Sequence, residues 1–257
     1  MSFNEIFEKL AKVNDRSVIW NNWLDYCIDY ALLNPIQQKH DFKGYEKEYH
    51  EMLNEWLDKL SNTLEDKSVY DMLGEFYEDL VTSQSKSKNM GQFYTPSTIT
   101  DLVNQLVIND DDKGMVNDCA CGSGRMLLDA YVKSNGGLVC IGQDLDETSC
   151  KMTVLNFWSH GVVGSVLHMD SLTGQFYNAW RVNNYLYHGL PVPHIELVSE
   201  KEAYRFIGLN KDIKSIEVNN DNSVIENNDN SKPKGTGHVF TGKQDELQKK
   251  TVQTKLM

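Results

Sequence analysis

The segment 116–130, VNDCACGSGRMLLDA, combines an acid, two cysteines and two glycines with the start of an apolar helical pattern. The residues before Asp118 favour a strand that ends at this acid, and those after Gly124 have the spacing of a helix. Cysteines can bind a metal or form a redox pair, and glycines between a strand and a helix can cradle a phosphate. The segment therefore predicts a binding site whose chemistry depends on the spacing.

Metal, redox and phosphate chemistry each need a spacing that this loop lacks. Zinc and iron–sulfur sites use paired Cys-x-x-Cys motifs, whereas one residue separates Cys119 from Cys121 and no histidine is near. A redox dithiol needs one residue more between the cysteines. Both phosphate fingerprints fail, because Gly124 is followed by Arg125 and Met126. We therefore expect no metal, and we interpret the cysteines as small residues that pack the loop.

Three acids, each at the end of a predicted strand, suit a ligand with several polar groups. Asp118, the glycine turn and the following helix N-terminus favour a ligand with an amine and a carboxylate. Asp144 ends the next strand, where a ribose would be held. Asp170 ends the third strand and could accept a hydrogen bond from an adenine amine. An amine, a carboxylate, a ribose and an adenine together describe S-adenosylmethionine.

Four motifs of the chain resemble, in the same order, the cofactor motifs of adenine-specific DNA methyltransferases. They are GQFYTP at 91–96, DCACGSGRML at 118–127, IGQDLD at 141–146 and HMDSL at 168–172. The chain is particularly similar to the modification subunit of type I restriction-modification systems, because DMLGEFYEDLV also resembles the helix that precedes FYTP there. The resemblance covers residues 70–175. FYTP followed by D-x-A-C-G-S-G is far more specific than a lone glycine loop.

The resemblance implies a set of residues around S-adenosylmethionine. Thr95 would contact the methionine end of the cofactor, and Asp118 would hold its amine. Asp144 would take the ribose hydroxyls and Asp170 the adenine amine. The implied cofactor-binding positions, in which the two glycines permit close backbone approach, are Phe93, Tyr94, Thr95, Asp118, Ala120, Gly122, Ser123, Gly124, Asp144, Leu145, Asp170 and Ser171.

The activity that the resemblance implies is methyl transfer from S-adenosylmethionine to the N6 amine of adenine in DNA. In that family the catalytic motif is N-P-P-Y or N-P-P-F, whose Asn holds the target amine while the aromatic ring stacks on the flipped base. The chain contains no such tetrapeptide. NAWRVNNYLYHGLP stands near the expected distance, so Asn183 and Tyr185 are candidates for a degenerate catalytic pair. The alternative is that this stretch is a surface loop.

Composition bears on the partners. A net charge of -12 at pH 7 argues against a chain that grips DNA by itself. We therefore expect double-stranded DNA to be reached through partner subunits, such as a specificity subunit or another restriction-modification subunit. Intact cofactor motifs without the catalytic motif also fit a second hypothesis, a catalytically inactive or truncated S-adenosylmethionine-binding regulatory or interaction protein. A methyltransferase for a small molecule or a protein is a third.

The elements that must position the site predict an α/β fold. Strands at 114–118, 138–144 and 165–170 alternate with helices at 124–134 and 147–161, as in a Rossmann-like S-adenosylmethionine-dependent methyltransferase domain with an incomplete parallel sheet. An all-helical N-terminal domain precedes it. The predicted boundaries are 1–83 for the helical domain, 84–92 for a connector, 93–210 for the methyltransferase-like domain and 211–257 for a low-complexity, largely disordered tail.

Local signals predict where two helices begin and what surrounds them. Ser68 and Asp71 form a plausible capping box. Thr95 and Pro96 suit the N-cap and first turn of a helix with one apolar face, composed of Ile99, Leu102, Val103, Leu106 and Val107. The tryptophans at 20, 23 and 56 are expected in the core.

The compartment follows from two further features. The five cysteines are an odd number, and the chain starts without the pattern of an export signal, so reduced thiols are expected. No charge-free apolar run approaches the length of a membrane span. We expect a cytoplasmic protein with no membrane partner.

Overall fold

The structure, a computed structural model, describes residues 1–38, 40–42, 44–82, 95–187 and 192–208. They fall within one compact unit, Met1–Lys214. No described helix is both long and apolar enough to cross a bilayer. The predicted connector at 84–92 and tail at 211–257 lie outside the described residues, so the predicted domain boundaries remain predictions.

The N-terminal part is a group of helices around an aromatic core. The helices are α1 (Phe3–Ala11), α2 (Arg16–Ala31), a 3₁₀ turn (Pro35–Gln37), α3 (Glu46–Leu64) and α4 (Met72–Tyr77), which continues as a π-helix over Glu78–Thr82. A capping box between Ser2 and Glu5 starts α1. Trp20, Trp23 and Trp56 have no exposed surface. The prediction that these tryptophans lie in the core is confirmed.

A parallel sheet follows, as the alternation of patterns predicts. Its elements are α5 (Ser97–Val107), β1 (Gly114–Asp118), α6 (Arg125–Lys133), β2 (Leu138–Asp144), α7 (Glu147–His160) and β3 (Gly164–Asp170). β1 pairs with β2, and β2 with β3, in parallel register. The prediction of an α/β fold with a Rossmann-like parallel core, preceded by helices, is confirmed.

The chain after β3 departs from the prediction. β4 (Gln175–Val182), the short helix α8 (Asn184–Tyr187), β5 (Ile195–Leu197) and α9 (Glu200–Phe206) follow, and β4 and β5 add to the sheet in antiparallel register. The strand order is β1-β2-β3-β4-β5. The alternative of a surface loop for NAWRVNNYLYHGLP is wrong over residues 178–182, which lie in β4. The sequence of β4, QFYNAWRV, lacks a continuous apolar run such as that of β2, and sequence analysis therefore did not recognise the strand.

Helix α7 joins the helical part to the sheet. Every residue from Thr148 to Phe157 is buried, because α2 packs on one side of α7 and the sheet on the other. Its polar side chains are paired across this contact. Thr148 Oγ1 donates to Asn21 Oδ1 at 2.9 Å, and Lys151 Nζ lies 2.8 Å from Asp25 Oδ1. The N-terminal helices therefore position the helix that supports the sheet.

Two predicted helix starts are wrong. Asp71 is itself the N-cap of α4 and accepts from Gly74 N, so Ser68 takes no part in a cap. At α5 the N-cap is Pro96, one residue later than predicted, and no side chain caps the helix. In both cases the helix begins one to three residues further on, because tertiary contacts of the neighbouring segment outweigh the local signal.

Protonation of His160, at the end of α7, is expected to destabilise the protein as the pH falls. Its Nδ1 lies 2.8 Å from Asn156 O, and its Nε2 accepts from Tyr70 N at 3.4 Å, so the neutral ring joins α7 to the segment before α4. Removal from water lowers the pKa of His160 below its usual value. As the pH falls, the unfolded chain therefore takes up this proton first. This lowers the free energy of unfolding from about pH 6.5 downward.

The corresponding measurement is urea unfolding of the wild type and of His160→Gln between pH 7.5 and 5. The wild type should lose stability on acidification, and His160→Gln should lose less. Equal pH dependence in the two proteins would contradict the assignment. His50→Gln is the matched control, because this histidine belongs to the N-terminal helices and shows no comparable contact with the backbone.

A candidate cofactor site at the carboxyl edge of the sheet

Three acids lie at the carboxyl ends of three adjacent parallel strands. Asp118 ends β1, Asp144 ends β2 and Asp170 ends β3, as predicted. The pairing register places Asp118 opposite Gly142 and Asp144 opposite His168, so each acid projects two residues beyond the one before it. The acids therefore form a staggered row along one edge of the sheet, where ligands of open α/β sheets bind.

The glycine loop after β1 is folded tightly against the rest of the site. Gly122 and Gly124 have φ angles of 56° and 83°, which favour glycine. A Cβ on Gly124 would lie 2.8 Å from Thr153 Cγ2 of α7. Gly122 N donates to Asp144 Oδ2 at 2.9 Å, and Thr153 Oγ1 donates to Gly122 O at 2.8 Å. The loop is thus fixed by the next strand end and by α7.

The two cysteines of the loop differ in environment. Cys121 is buried beside Thr153, and burial raises the pKa of its thiol far above the usual value, so it stays neutral and packs the loop. Cys119 is exposed. The interpretation as a packing residue holds for Cys121 and is wrong for Cys119.

The loops after β1 and β3 meet above the end of β2. Ser171 Oγ donates to Cys119 O at 3.0 Å and to Gln143 Oε1 at 3.2 Å. Gln143 Nε2 in turn donates to Asn117 Oδ1 at 2.8 Å. Together with the contact between Gly122 and Asp144, these bonds join all three strand ends in one place. The sequence-predicted residues of the three loops are therefore brought together.

Backbone amides donate hydrogen bonds to all three carboxylates. Asp118 Oδ1 accepts from Ala120 N at 3.1 Å. The two oxygens of Asp144 accept from Gly122 N and Asp146 N, each at 2.9 Å. Hydrogen bonds from Thr173 and Leu172 lower the pKa of Asp170. Carboxylates that are supported in this way can accept further hydrogen bonds from a ligand.

Other predicted residues differ in how they face the site. Arg125 Nη1 donates to Thr95 O at 2.9 Å, which brings Thr95 to the glycine loop. Phe93 and Tyr94 lie outside the described residues. Leu145 is exposed beside Asp144 and offers an apolar contact. Ser123 is buried, and its hydroxyl donates to a carboxylate behind the loop, so only its backbone is available to a ligand.

That carboxylate belongs to Asp71, a residue that sequence analysis missed as part of the site. Asp71 Oδ2 accepts from Arg125 Nε at 3.0 Å and from Ser123 Oγ. Asp71 Oδ1 accepts from Gly74 N at 2.9 Å and from Asn156 Nδ2 at 2.8 Å. The Asp71 side chain is 1 % exposed. A lone acid at a helix start carries no signal of such contacts, whereas the cation directly after G-S-G could have indicated a missing acid partner.

The catalytic candidates Asn183 and Tyr185 are not brought to this edge. Val182 pairs with Gly164, at the start of β3, so Asn183 lies about 20 Å along the strand from Asp170. Its buried amide donates to Phe157 O and Val162 O. It also accepts from His194 N at 3.1 Å. These contacts give Asn183 a structural role at the edge of the sheet where β3 begins. They do not support the catalytic interpretation.

Comparisons with known proteins match this part of the chain. Residues 68–184 match the family model described as N-6 DNA Methylase. The chain is 32% identical over 122 residues to the type I restriction enzyme MjaVIII methylase subunit of Methanocaldococcus jannaschii. It is 28% identical over 175 residues to the type I restriction enzyme MpnII methylase subunit of Mycoplasma pneumoniae. The first match covers 46% and the second 57% of this chain.

The chain spans only part of these proteins. The matches cover 21% of the MjaVIII subunit and 32% of the MpnII subunit. A crystal structure of the type I restriction-modification system methyltransferase subunit from Streptococcus thermophilus is similar with a TM-score of 0.33 at 20% identity. That alignment covers 68% of this chain and 38% of the other.

Proposed function

We propose that the chain, whose residues 68–184 match the family model described as N-6 DNA Methylase, binds S-adenosylmethionine and serves as a subunit in N6 methylation of adenine in DNA. The family implies a methyl donor. We infer that S-adenosylmethionine is that donor and that the row of acids with the glycine loop is its site. DNA and further subunits are the proposed partners.

One observation carries the proposal. Hydrogen bonds from Gly122 to Asp144 and from Ser171 to Cys119 draw three strand ends into one edge of the sheet. A structural helix–strand turn needs no such row of acids around a positive-φ loop. The arrangement offers a separate acceptor for each polar part of a nucleoside that also carries an amino-acid group.

The donors and acceptors fit the proposed cofactor. No described side chain caps the N-terminus of α6, so the amides of its first turn can meet a carboxylate. Within the described residues, Asp118 Oδ2 accepts no hydrogen bond, and it can meet an ammonium group. Asp144 suits the ribose hydroxyls and Asp170 an adenine amine. The cofactor would supply an electrophilic methyl group, and these residues would bind and orient it.

The target adenine needs a second set of groups. The amide and aromatic side chains proposed from sequence, Asn183 and Tyr185, belong to the opposite edge of the sheet. The net charge of -12 also disfavours DNA binding by this chain alone. We therefore propose that a partner polypeptide provides the groups that hold the flipped base and most of the grip on DNA.

A second candidate function rests on the separation of Asn183 and Tyr185 from the proposed cofactor site. The chain could bind S-adenosylmethionine and use it only as a regulatory ligand within an assembly, without any methyl transfer. Intact acids at the carboxyl edge and the internal use of the Asn183 amide both favour it. The two functions differ only in whether N6-methyladenine is formed.

One experiment separates the candidates. The full-length chain and its Asp144→Ala variant are purified from source cells with any subunits that copurify, and calorimetry measures S-adenosylmethionine binding. The same samples are incubated with unmethylated DNA and methyl-labelled cofactor, and N6-methyladenine is quantified after digestion. Binding with labelled N6-methyladenine, both lost in Asp144→Ala, supports the methyltransferase subunit. Binding without labelled DNA supports the regulatory ligand, and absence of binding contradicts both.

A further inference from the structure

Helix α5 buries its polar face and exposes its apolar face. The sequence predicts one apolar face, yet the buried residues of the helix are the polar Thr100 and Asn104. Thr100 Oγ1 donates to Asp129, and Asn104 Nδ2 donates to Met126 O at 2.9 Å, so a polar face packs on α6. The apolar side chains are exposed to solvent instead, namely Ile99, Leu102, Leu106 and Val107. A row of this kind on one helix indicates a surface that a partner covers.

Strand β1 is the open edge of the sheet. It pairs only with β2 within the described part of the chain, and the sheet grows from β3 to β5 on the far side. Met115, in the middle of β1, is 68% exposed. Open edge strands offer unpaired amides and carbonyls to another polypeptide, and proteins ordinarily protect them with short length, charge or cover. β1 and α5 are joined by only six residues, 108–113.

Within the residues that the structure describes, the binding edge also lacks a topological switch point. The two crossovers through α6 and α7 both lead from β1 toward β3, so the strand order does not reverse beside Asp118. Ligands of open α/β sheets bind where the order reverses and neighbouring loops part. A strand added on the free side of β1 would create that reversal directly beside Asp118. The added strand would also end next to the proposed cofactor site.

The rim of this surface is acidic. Asp101 on α5 and Asp110 and Asp111 before β1 are exposed, and Asp112 is partly buried. Lys113 is the one basic residue of the described segment 97–118. A strand that docks here would meet negative charge at both ends. Charge complementarity therefore favours a partner segment in which basic residues flank an apolar strand.

We propose that the α5–β1 surface, formed by Ile99, Leu102, Leu106, Val107 and the free edge of β1, is the docking site of a separate polypeptide that adds a strand to β1. The partner segment is an apolar strand flanked by Lys or Arg. This inference rests on the proposed function, because the docked strand would carry the target-binding groups to the cofactor edge. Backbone pairing supplies affinity, and the basic flanks supply specificity.

Two other occupants are disfavoured by charge and composition. A second copy would bring a second set of Asp101, Asp110 and Asp111 against the first, and like charges in an interface oppose association. The chain's own Asn-rich run at 218–237 is too polar to offer an apolar strand. A separate basic-flanked strand satisfies both the apolar face and the acidic rim.

The test uses the full-length chain and two synthetic peptides. One is Lys-Lys-Val-Thr-Val-Thr-Val-Lys-Lys, and its matched control has Glu in place of every Lys. Nuclear magnetic resonance titration measures affinity, and hydrogen exchange follows the β1 amides. The Lys-flanked peptide should slow exchange within Gly114–Asp118 and bind at least about tenfold more tightly than the Glu-flanked peptide, a difference that high salt should reduce.

Variants then locate the surface. The double variant Leu102→Glu, Met115→Glu should bind the Lys-flanked peptide at least about tenfold more weakly, and Ile36→Glu, at an exposed apolar site elsewhere, should not. The double variant and Ile36→Glu should both still bind S-adenosylmethionine. Failure of the docking proposal can therefore be distinguished from failure of the cofactor proposal. Three results overturn the inference: equal binding of the two peptides, a dimer that Leu106→Glu dissociates, or β1 amides that are protected until residues 209–257 are deleted.

Discussion

Asp144→Ala is expected to weaken S-adenosylmethionine binding by about 100-fold. Asp144 serves the site twice, since its oxygens accept from Gly122 N and Asp146 N and its charge is proposed to meet the ribose hydroxyls. Hydrogen bonds to a charged group contribute about 1.5–3 kcal/mol each, and about 1.4 kcal/mol corresponds to a tenfold change in affinity. Loss of the ligand bonds and a looser glycine loop together account for the expected effect. Calorimetry with the full-length chain measures it.

Two further variants make the Asp144 result interpretable. Asp144→Asn keeps the size of the side chain and one acceptor oxygen but removes the charge. It should therefore bind S-adenosylmethionine more tightly than Asp144→Ala and less tightly than the wild type. Asp111→Ala removes an exposed acid away from the glycine loop and should bind as the wild type does. Wild-type affinity in Asp144→Ala would remove Asp144 from the site.

The strand ends of the site could be predicted from sequence because each signal is local. In β1, β2 and β3 a short apolar run stops at an acid, and a glycine turn or a helix cap follows within a few residues. The alternation of strands and helices predicts parallel strands, whose carboxyl ends lie at one edge of the sheet. Asp118, Asp144 and Asp170 therefore follow from pattern and topology without knowledge of tertiary contacts.

The sequence predicts the surroundings of these strands less well, because the deciding contacts are distant along the chain. The α5 residues Ile99 and Leu106 have the spacing of a core face, but the bonds of Thr100 and Asn104 to α6 turn that face outward. β4 lacks a continuous apolar run, and sequence analysis did not recognise it. No periodicity shows in advance which face of such an element meets another.

The same limit applies to the catalytic candidates. Asn183 and Tyr185 are at the predicted distance along the chain, but β4 runs antiparallel to β3 and carries them to the amino edge. Strand direction is a tertiary property that sequence spacing alone does not determine. A connection of only four residues between β3 and β4 is too short for a parallel crossover, which is the signal that sequence analysis did not use.

Asp71 joins the N-terminal helices to the glycine loop, and its removal is expected to be among the most destabilising single changes. Its carboxylate accepts from the backbone of α4 at Gly74, from Ser123 and Arg125 of the loop region, and from Asn156 of α7. Asp71→Ala leaves the partly buried Arg125 guanidinium without its carboxylate. Breaking such a pair from one side costs about 3–5 kcal/mol.

The matched control for Asp71 is Asp15, because both are helix N-caps. Asp15 caps α2 at the surface and accepts from Ser17 N and Val18 N. Loss of a simple cap costs about 1 kcal/mol, so Asp15→Ala gives the contribution of capping alone. Urea unfolding of the two variants should therefore differ by at least about 2 kcal/mol, with Asp71→Ala the less stable.

The loop contacts of Asp71 also predict an effect on the cofactor site. Asp71→Asn keeps only one of the two acceptor oxygens, which can serve Gly74 N or Ser123 Oγ but not both in their present positions. It also leaves the charge of Arg125 unbalanced, and Arg125 holds Thr95 O. Hydrogen exchange over residues 121–125 should rise in Asp71→Asn, and S-adenosylmethionine should bind more weakly, while Asp15→Ala should change neither. A double variant, Asp71→Asn with Arg125→Met, should recover part of the stability because no unpaired charge remains. If Asp71→Ala and Asp15→Ala cost the same and exchange of the loop is unchanged, Asp71 is a cap only, and the helices do not support the site through it.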